Sequence, residues 1–197
     1  MDTNLTLGPA QPTLDTEYGV LVHSISWVTP FEDSWRLNFS GYTTGAANGN
    51  AGAGCVLRDQ NAIFKAACAA PIKDCENVDM TELVALNLGL DIALRQGVDY
   101  IEIAGDYSNV IRLLAGESIP FPSSVQSLIE ECSYFLAKFR GVMIRQVTIH
   151  ANEPANLLAI FGSGFEEPLQ WFDKPPPEIA DSLISDVIGR WMPLDGL

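Results

Sequence analysis

The chain is short of positive charge. Its 197 residues hold eleven Lys and Arg against twenty-five Asp and Glu, a formal net charge of −14. Nucleic-acid binders draw most of their affinity from basic side chains that neutralise phosphates, so affinity for duplex or hybrid is expected to be weak. The deficit is uneven: residues 1–33 carry −5 with no Lys or Arg, 34–163 carry −4, and 164–197 carry −5. Within the central segment Lys138, Arg140 and Arg145 form the tightest basic cluster and are the candidate phosphate contacts. Metal-binding sulfur and imidazole are also scarce. The four cysteines (Cys55, Cys68, Cys75, Cys132) form no CxxC pair, and neither His23 nor His150 stands near them in sequence. That spacing argues against zinc and for buried thiols in a reducing compartment. Long apolar runs are missing too: none approaches the ~20 residues of a membrane-spanning helix, so no membrane partner is expected. The N-terminal stretch has neither the basic n-region of a signal peptide nor the Arg-rich face of a transit peptide, which makes cytoplasm or nucleus the expected location.

Apolar residues, by contrast, make up 47% of the chain, enough for a sizeable core. The length suits one domain of ordinary size with extensions. Residues 1–33 read as an acidic N-terminal extension, with a short strand expected near 19–25. Leu37 and Phe39 alternate with polar neighbours over 35–42, the period of a half-buried strand. A Gly/Ala/Asn-rich turn over 45–54 leads to a second strand at 53–58. Asp59-Gln60-Asn61 then turns the chain into a third at 63–69.

Residues 78–96 predict a helix, apolar on nearly every side and therefore covered by more than one neighbour. Gly97 supplies its stop. A strand at 100–104, a short helix at 108–114, a helix at 123–139 capped by Ser123 or Ser124, a strand at 142–149 and a helix from Pro154 to about 161 complete the order. Three hairpin-connected strands followed by alternating helices and strands describe an α/β domain over 34–164: a mixed five-stranded sheet with helices on its faces.

Five segments, in order along about 130 residues, carry a family resemblance. Leu37-Asn38-Phe39-Ser40-Gly41 resembles K-L-N-x-D-G, and Ala51 to Asp59 resembles A-G-x-G-x-V-x-R-D. Thr81-Glu82-Leu83-Val84-Ala85-Leu86 resembles A-E-L-x-A-L, and Ile101 to Asp106 resembles I-x-x-E-x-D. Ala151-Asn152-Glu153-Pro154-Ala155-Asn156-Leu157-Leu158-Ala159 resembles A-N-x-x-A-D-x-L-A. Together they resemble the plant RNase H-like, or reverse-transcriptase-like, family related to type 1 ribonuclease H, with plant and retroelement ancestry implied.

The resemblance implies two-metal hydrolysis of the RNA strand of an RNA–DNA hybrid, with hard Mg²⁺ ions held by four carboxylates. Two of those positions remain as Glu82 and Asp106. The other two are Ser40, a neutral hydroxyl, and Asn156, which keeps the shape of a carboxylate without its charge. A catalytically degenerate site is therefore expected, with no cofactor. Mg or Mn would be held only weakly, by Glu82 and Asp106, if some hydrolysis persisted. Plainer readings stand beside these: Glu82 also suits a helix N-terminal dipole, Asp106 could cap the short helix, and Ser40 and Asn156 could simply pack or hydrogen-bond. His150 stands where the family has a Glu and reads as a surface or strand-end residue. Asn48 and Asn50 could reach a backbone phosphate or merely form a turn.

Residues 165–197 form an aromatic and proline-rich tail with a predicted amphipathic helix over 178–191. Ile179, Leu183, Val187 and Trp191 recur at four-residue spacing, and Trp171 and Phe172 precede them. This apolar stripe either packs on its own domain or meets a partner, since Trp and Phe are common interface anchors. The functional expectation is a degenerate RNase H-like protein acting through a protein partner or self-association. Residual hybrid cleavage and non-cleaving nucleic-acid binding are the alternatives.

Overall fold

The computed structural model describes residues 13–14, 28–45, 49–75 and 77–188. The strands are β1 (Thr13–Leu14), β2 (Trp35–Thr43), β3 (Ala51–Asp59), β4 (Phe64–Ile72), β5 (Tyr100–Gly105), β6 (Gly141–Gln146) and β7 (Leu169–Phe172). The helices are α1 (Val78–Arg95), α2 (Ser108–Leu114), α3 (Gln126–Leu136), α4 (Glu153–Gly162) and α5 (Pro177–Ile188). All strands join one sheet in the order β1-β6-β5-β2-β3-β4-β7. β2, β3 and β4 are antiparallel neighbours, while β5 and β6 run parallel to β2. The mixed α/β sheet is thus the expected one, with two strands more than five. Each addition is short. Two residues of β1 pair with Met143 and Ile144, and four of β7 pair with β4. Runs of that length give too little alternation to mark a strand in sequence.

Strand alternation divides the molecule into two apolar layers. Leu37, Phe39, Cys55, Leu57 and Cys68 face α1, which α3 covers from outside; this is the helix whose sequence is apolar nearly all round. Val56, Ala67 and Ala69 face the other way, toward Ala155 and Leu158 of α4 and Ile179 of α5. All four cysteines are buried free thiols. Among the described residues no helix is long and apolar enough to cross a membrane.

Several boundaries differ from the sequence expectation. The 123–139 helix opens as a single 3-10 turn, Ser123–Val125, and neither serine caps α3, whose N-cap position is Val125. β6 stops at Gln146 rather than 149, because Thr148 accepts the Ala151 N–H and starts the 3-10 turn Ile149–Asn152. That turn leads directly into α4, with proline in its first turn as expected. The segment read as a strand over 19–25 lies outside the described residues.

At Gly54 the backbones of β3 and α4 come unusually close. A Cβ on Gly54 would lie 2.3 Å from the Ala159 amide nitrogen and 2.4 Å from the Ala155 carbonyl oxygen. Side-chain repacking cannot relieve a clash with backbone, so Gly54→Ala is expected to cost about 3 kcal/mol, at the upper end of ordinary overpacking. Urea unfolding of the variant measures it.

Candidate functional site

β2 runs through the middle of the sheet, and its residues 38 and 40 point to the α4 side. Its parallel register with β5 pairs Asn38 with Ala104. Two residues further on, Ser40 within β2 comes level with Asp106, just past the end of β5. Ser40 lies opposite Gly54 of β3, and the bare glycine lets α4 settle close enough to bring Asn156 to it. The Ser40 hydroxyl donates to Asn156 Oδ1. The Asn156 amide nitrogen in turn donates to the Ile149 carbonyl at 3.2 Å.

Glu82 arrives from the opposite layer. Gly41 makes this possible, since a Cβ there would stand 2.3 Å from Thr81 Oγ1 and 2.5 Å from the Glu82 nitrogen. The Glu82 side chain is buried and takes the Gly41 N–H, but its Oε2 has no hydrogen-bond partner. Burial pushes its carboxyl up from 4.5 to about 8, and the negative charges of Asp106 and Asp79 add to the rise against the Gly41 hydrogen bond. Glu82 is the fifth residue of α1, beyond the first turn, where the acidic residue is Asp79. The helix-dipole reading therefore fits Asp79 better than Glu82.

Asp106 does not cap α2. That helix begins after Tyr107 with no side-chain cap at all. The Asp106 carboxylate instead accepts from the side-chain amide of Asn152, four residues before Asn156 and so on the same side of the chain as it enters α4. Asn152 is fully buried and fully engaged: it also donates to the Phe39 carbonyl at 2.8 Å and accepts from Asn38 Nδ2 at 2.9 Å. Behind Asn38 stands Arg58, whose Nη2 donates to Asn38 Oδ1 at 2.9 Å. Arg58 Nη1 meets Asp186 Oδ2 of α5 at 2.7 Å, with both side chains almost wholly buried. Burial lowers the Arg58 guanidinium to about 10 and raises the Asp186 carboxyl, each opposed by the other's charge.

Ser40 thus meets Asn156, Asp106 meets Asn152, and Glu82 takes the Gly41 N–H within the field of Asp106. Asn38 and Asn152 were visible within the resembling motifs, yet nothing local revealed a role. Arg58 and Asp186, 128 residues apart, gave no joint signal.

The remaining candidates scatter. Asn48 lies outside the described residues. Asn50 is exposed at the β2–β3 turn and borders a hollow of about 260 Å³ with Lys73, Asp74 and Phe165. The basic trio is engaged locally: the Lys138 ammonium sits 4.3 Å from the Tyr134 ring centroid, Arg140 pairs with Asp99, and Arg145 pairs with Glu102, which also holds buried Arg36. His150 is exposed in the 3-10 turn before α4.

In the tail, Ile179 is fully buried and Leu183 and Trp171 pack beside it, but Val187 is 62% exposed and Phe172 41%. Trp191 lies outside the described residues. The expected stripe is therefore corrected. Four-residue spacing drifts around a helix of 3.6 residues per turn, so α5 buries Ile179, Ser182 and Asp186 and turns Val187 to solvent.

The family described as "Reverse transcriptase-like" matches residues 38–162. An Arabidopsis thaliana protein named "Putative ribonuclease H protein" is 29% identical over 194 residues, covering 96% of this chain. The chain spans about 29% of that relative's length. Among solved structures, RNase H1 from the halophilic archaeon Halobacterium salinarum superposes with a TM-score of 0.61 at 26% identity, over 66% of this chain and 96% of that one. The N-terminal RNase H domain of a Mycobacterium tuberculosis protein gives 0.62 at 20% identity, over 66% and 93%, a likeness of fold.

Proposed function

The chain belongs to the reverse transcriptase-like family, and from that premise we propose that it is a catalytically degenerate RNase H-like protein that works by binding, with a protein as partner. The observation that carries this reading is the closure of Ser40 on Asn156. Where the resemblance calls for two carboxylates, two neutral side chains satisfy each other. Asp106 is held by Asn152, and buried Glu82 is protonated over much of the pH range below 8. Among the described residues no three Asp, Glu, His or Cys side chains are grouped to hold a metal. Two adjacent divalent ions need several anionic oxygens, so this donor set does not fit them.

The charge of −14 and the local pairing of Arg140 with Asp99 and Arg145 with Glu102 favour protein over nucleic acid. Ile184, Val187 and Ile188 form an exposed apolar face on α5, with Phe172 exposed on the edge strand. Aromatic and aliphatic surface of this kind suits a partner chain or a second copy.

The unpartnered Oε2 of Glu82 favours a second reading, weak Mg²⁺- or Mn²⁺-dependent cleavage of hybrid through Glu82 and Asp106. Incubation with a labelled RNA–DNA hybrid in each metal separates the two. The unmodified protein is expected to leave the hybrid intact. Ser40→Asp with Asn156→Asp restores the missing charge and is expected to cleave above background, with loss of cleavage on adding Glu82→Ala. Robust cleavage by the unmodified protein, abolished by Glu82→Ala alone, would establish the second reading instead.

A further inference from the structure

The side chains from α5 to the site form one unbroken line with a direction. Arginine can only donate hydrogen bonds, and a carboxylate can only accept them. Asn38 must therefore show its oxygen to Arg58, which leaves its amide nitrogen for Asn152. Asn152 must then show its oxygen to Asn38, which turns both of its N–H groups toward the Phe39 carbonyl and Asp106. Neither amide can flip without placing donor against donor or acceptor against acceptor in a buried setting, where an unmatched polar group is costly. The line needs a charged donor at its head, and that charge needs an anion. Asp186 supplies it from α5, outside the segment that carries the family motifs.

We propose that Asp186 is a positioning residue of the candidate site: by holding Arg58 it fixes the orientation of Asn38 and Asn152, and through them the placement of the Asp106 carboxylate. Helix α5 is then part of the site rather than an appendage to it. This holds whether the site cleaves, binds an ion weakly or does neither, because it concerns only how Asp106 is held. It also gives a physical route by which a protein seated on the exposed face of α5 would be felt at Asp106, since Asp186 lies on the buried side of the same helix.

The test uses the full chain, labelled with ¹⁵N, and reads the side-chain amide of Asn152 by NMR. With Asp186→Asn the Asn152 amide signals are expected to shift, and their exchange with water to quicken by about tenfold or more, as for a local opening. Asp181→Asn, which removes an exposed carboxylate of α5, is expected to leave them in place. A purely structural Asp186 would lower the melting temperature yet leave the native Asn152 signals untouched, and that result in folded Asp186→Asn overturns the proposal. Should that variant yield too little folded protein, Asp186→Glu carries the test. It keeps the anion but displaces it against Arg58, so the Asn152 signals must move; unchanged signals in folded Asp186→Glu overturn the proposal equally.

Discussion

Glu82→Gln is expected to raise the protein's stability at pH 8 by on the order of 3–4 kcal/mol while changing it little near pH 4. The reason lies in the cost of charging a buried carboxyl. Its folded value stands near 8 against an ordinary 4.5. Between those limits the folded protein keeps a proton that the unfolded chain has released, so the unmodified protein loses stability as pH rises through this window. Below the ordinary value both states are protonated and nothing is lost. Glutamine resembles the neutral acid and carries no such penalty, so its advantage should grow from pH 4.5 to 8 and then level off. Urea unfolding at several pH values measures the gap. The same series with excess Mg²⁺ bears on function: the gap at pH 8 should persist if the site takes no ion, and should narrow if Glu82 accepts one in its charged form.

Asp186→Ala is expected to cost about 3–5 kcal/mol, among the largest losses available to a single substitution outside the central sheet. The carboxylate is almost fully enclosed with Arg58, and its removal takes the paired anion from a buried guanidinium. Arg58→Ala strands the carboxylate in turn, though α5 sits nearer solvent and the loss should be smaller. If the pair is replaced together, as Arg58→Met with Asp186→Leu, most of the loss should be recovered, because neither charge is then left alone. Thermal unfolding of Arg58→Met, Asp186→Leu and their double gives the coupling directly. Additive losses would mean that the two groups stabilise the fold independently.

The elements of the central sheet were legible in the sequence. Leu37 and Phe39 alternate, and α1 is apolar on nearly every side. These are short-range patterns, fixed by the period of two along a strand and 3.6 along a helix. The family resemblance named Ser40, Glu82, Asp106 and Asn156, with Ser40 and Asn156 standing where it implies carboxylates. The tertiary structure decided what those residues meet. Only packing showed that Gly54 admits α4 so closely that Ser40 closes on Asn156, or that Asp106 is held by Asn152 instead of capping a helix. The tail was settled the same way. Its apolar spacing marked a helix, but which face was buried depended on Ile179 entering the second layer and on Asp186 meeting Arg58 across 128 residues. Periodicity tells which side of an element is apolar. It says nothing about which distant group stands opposite, because that partner is chosen by the closure of the whole chain.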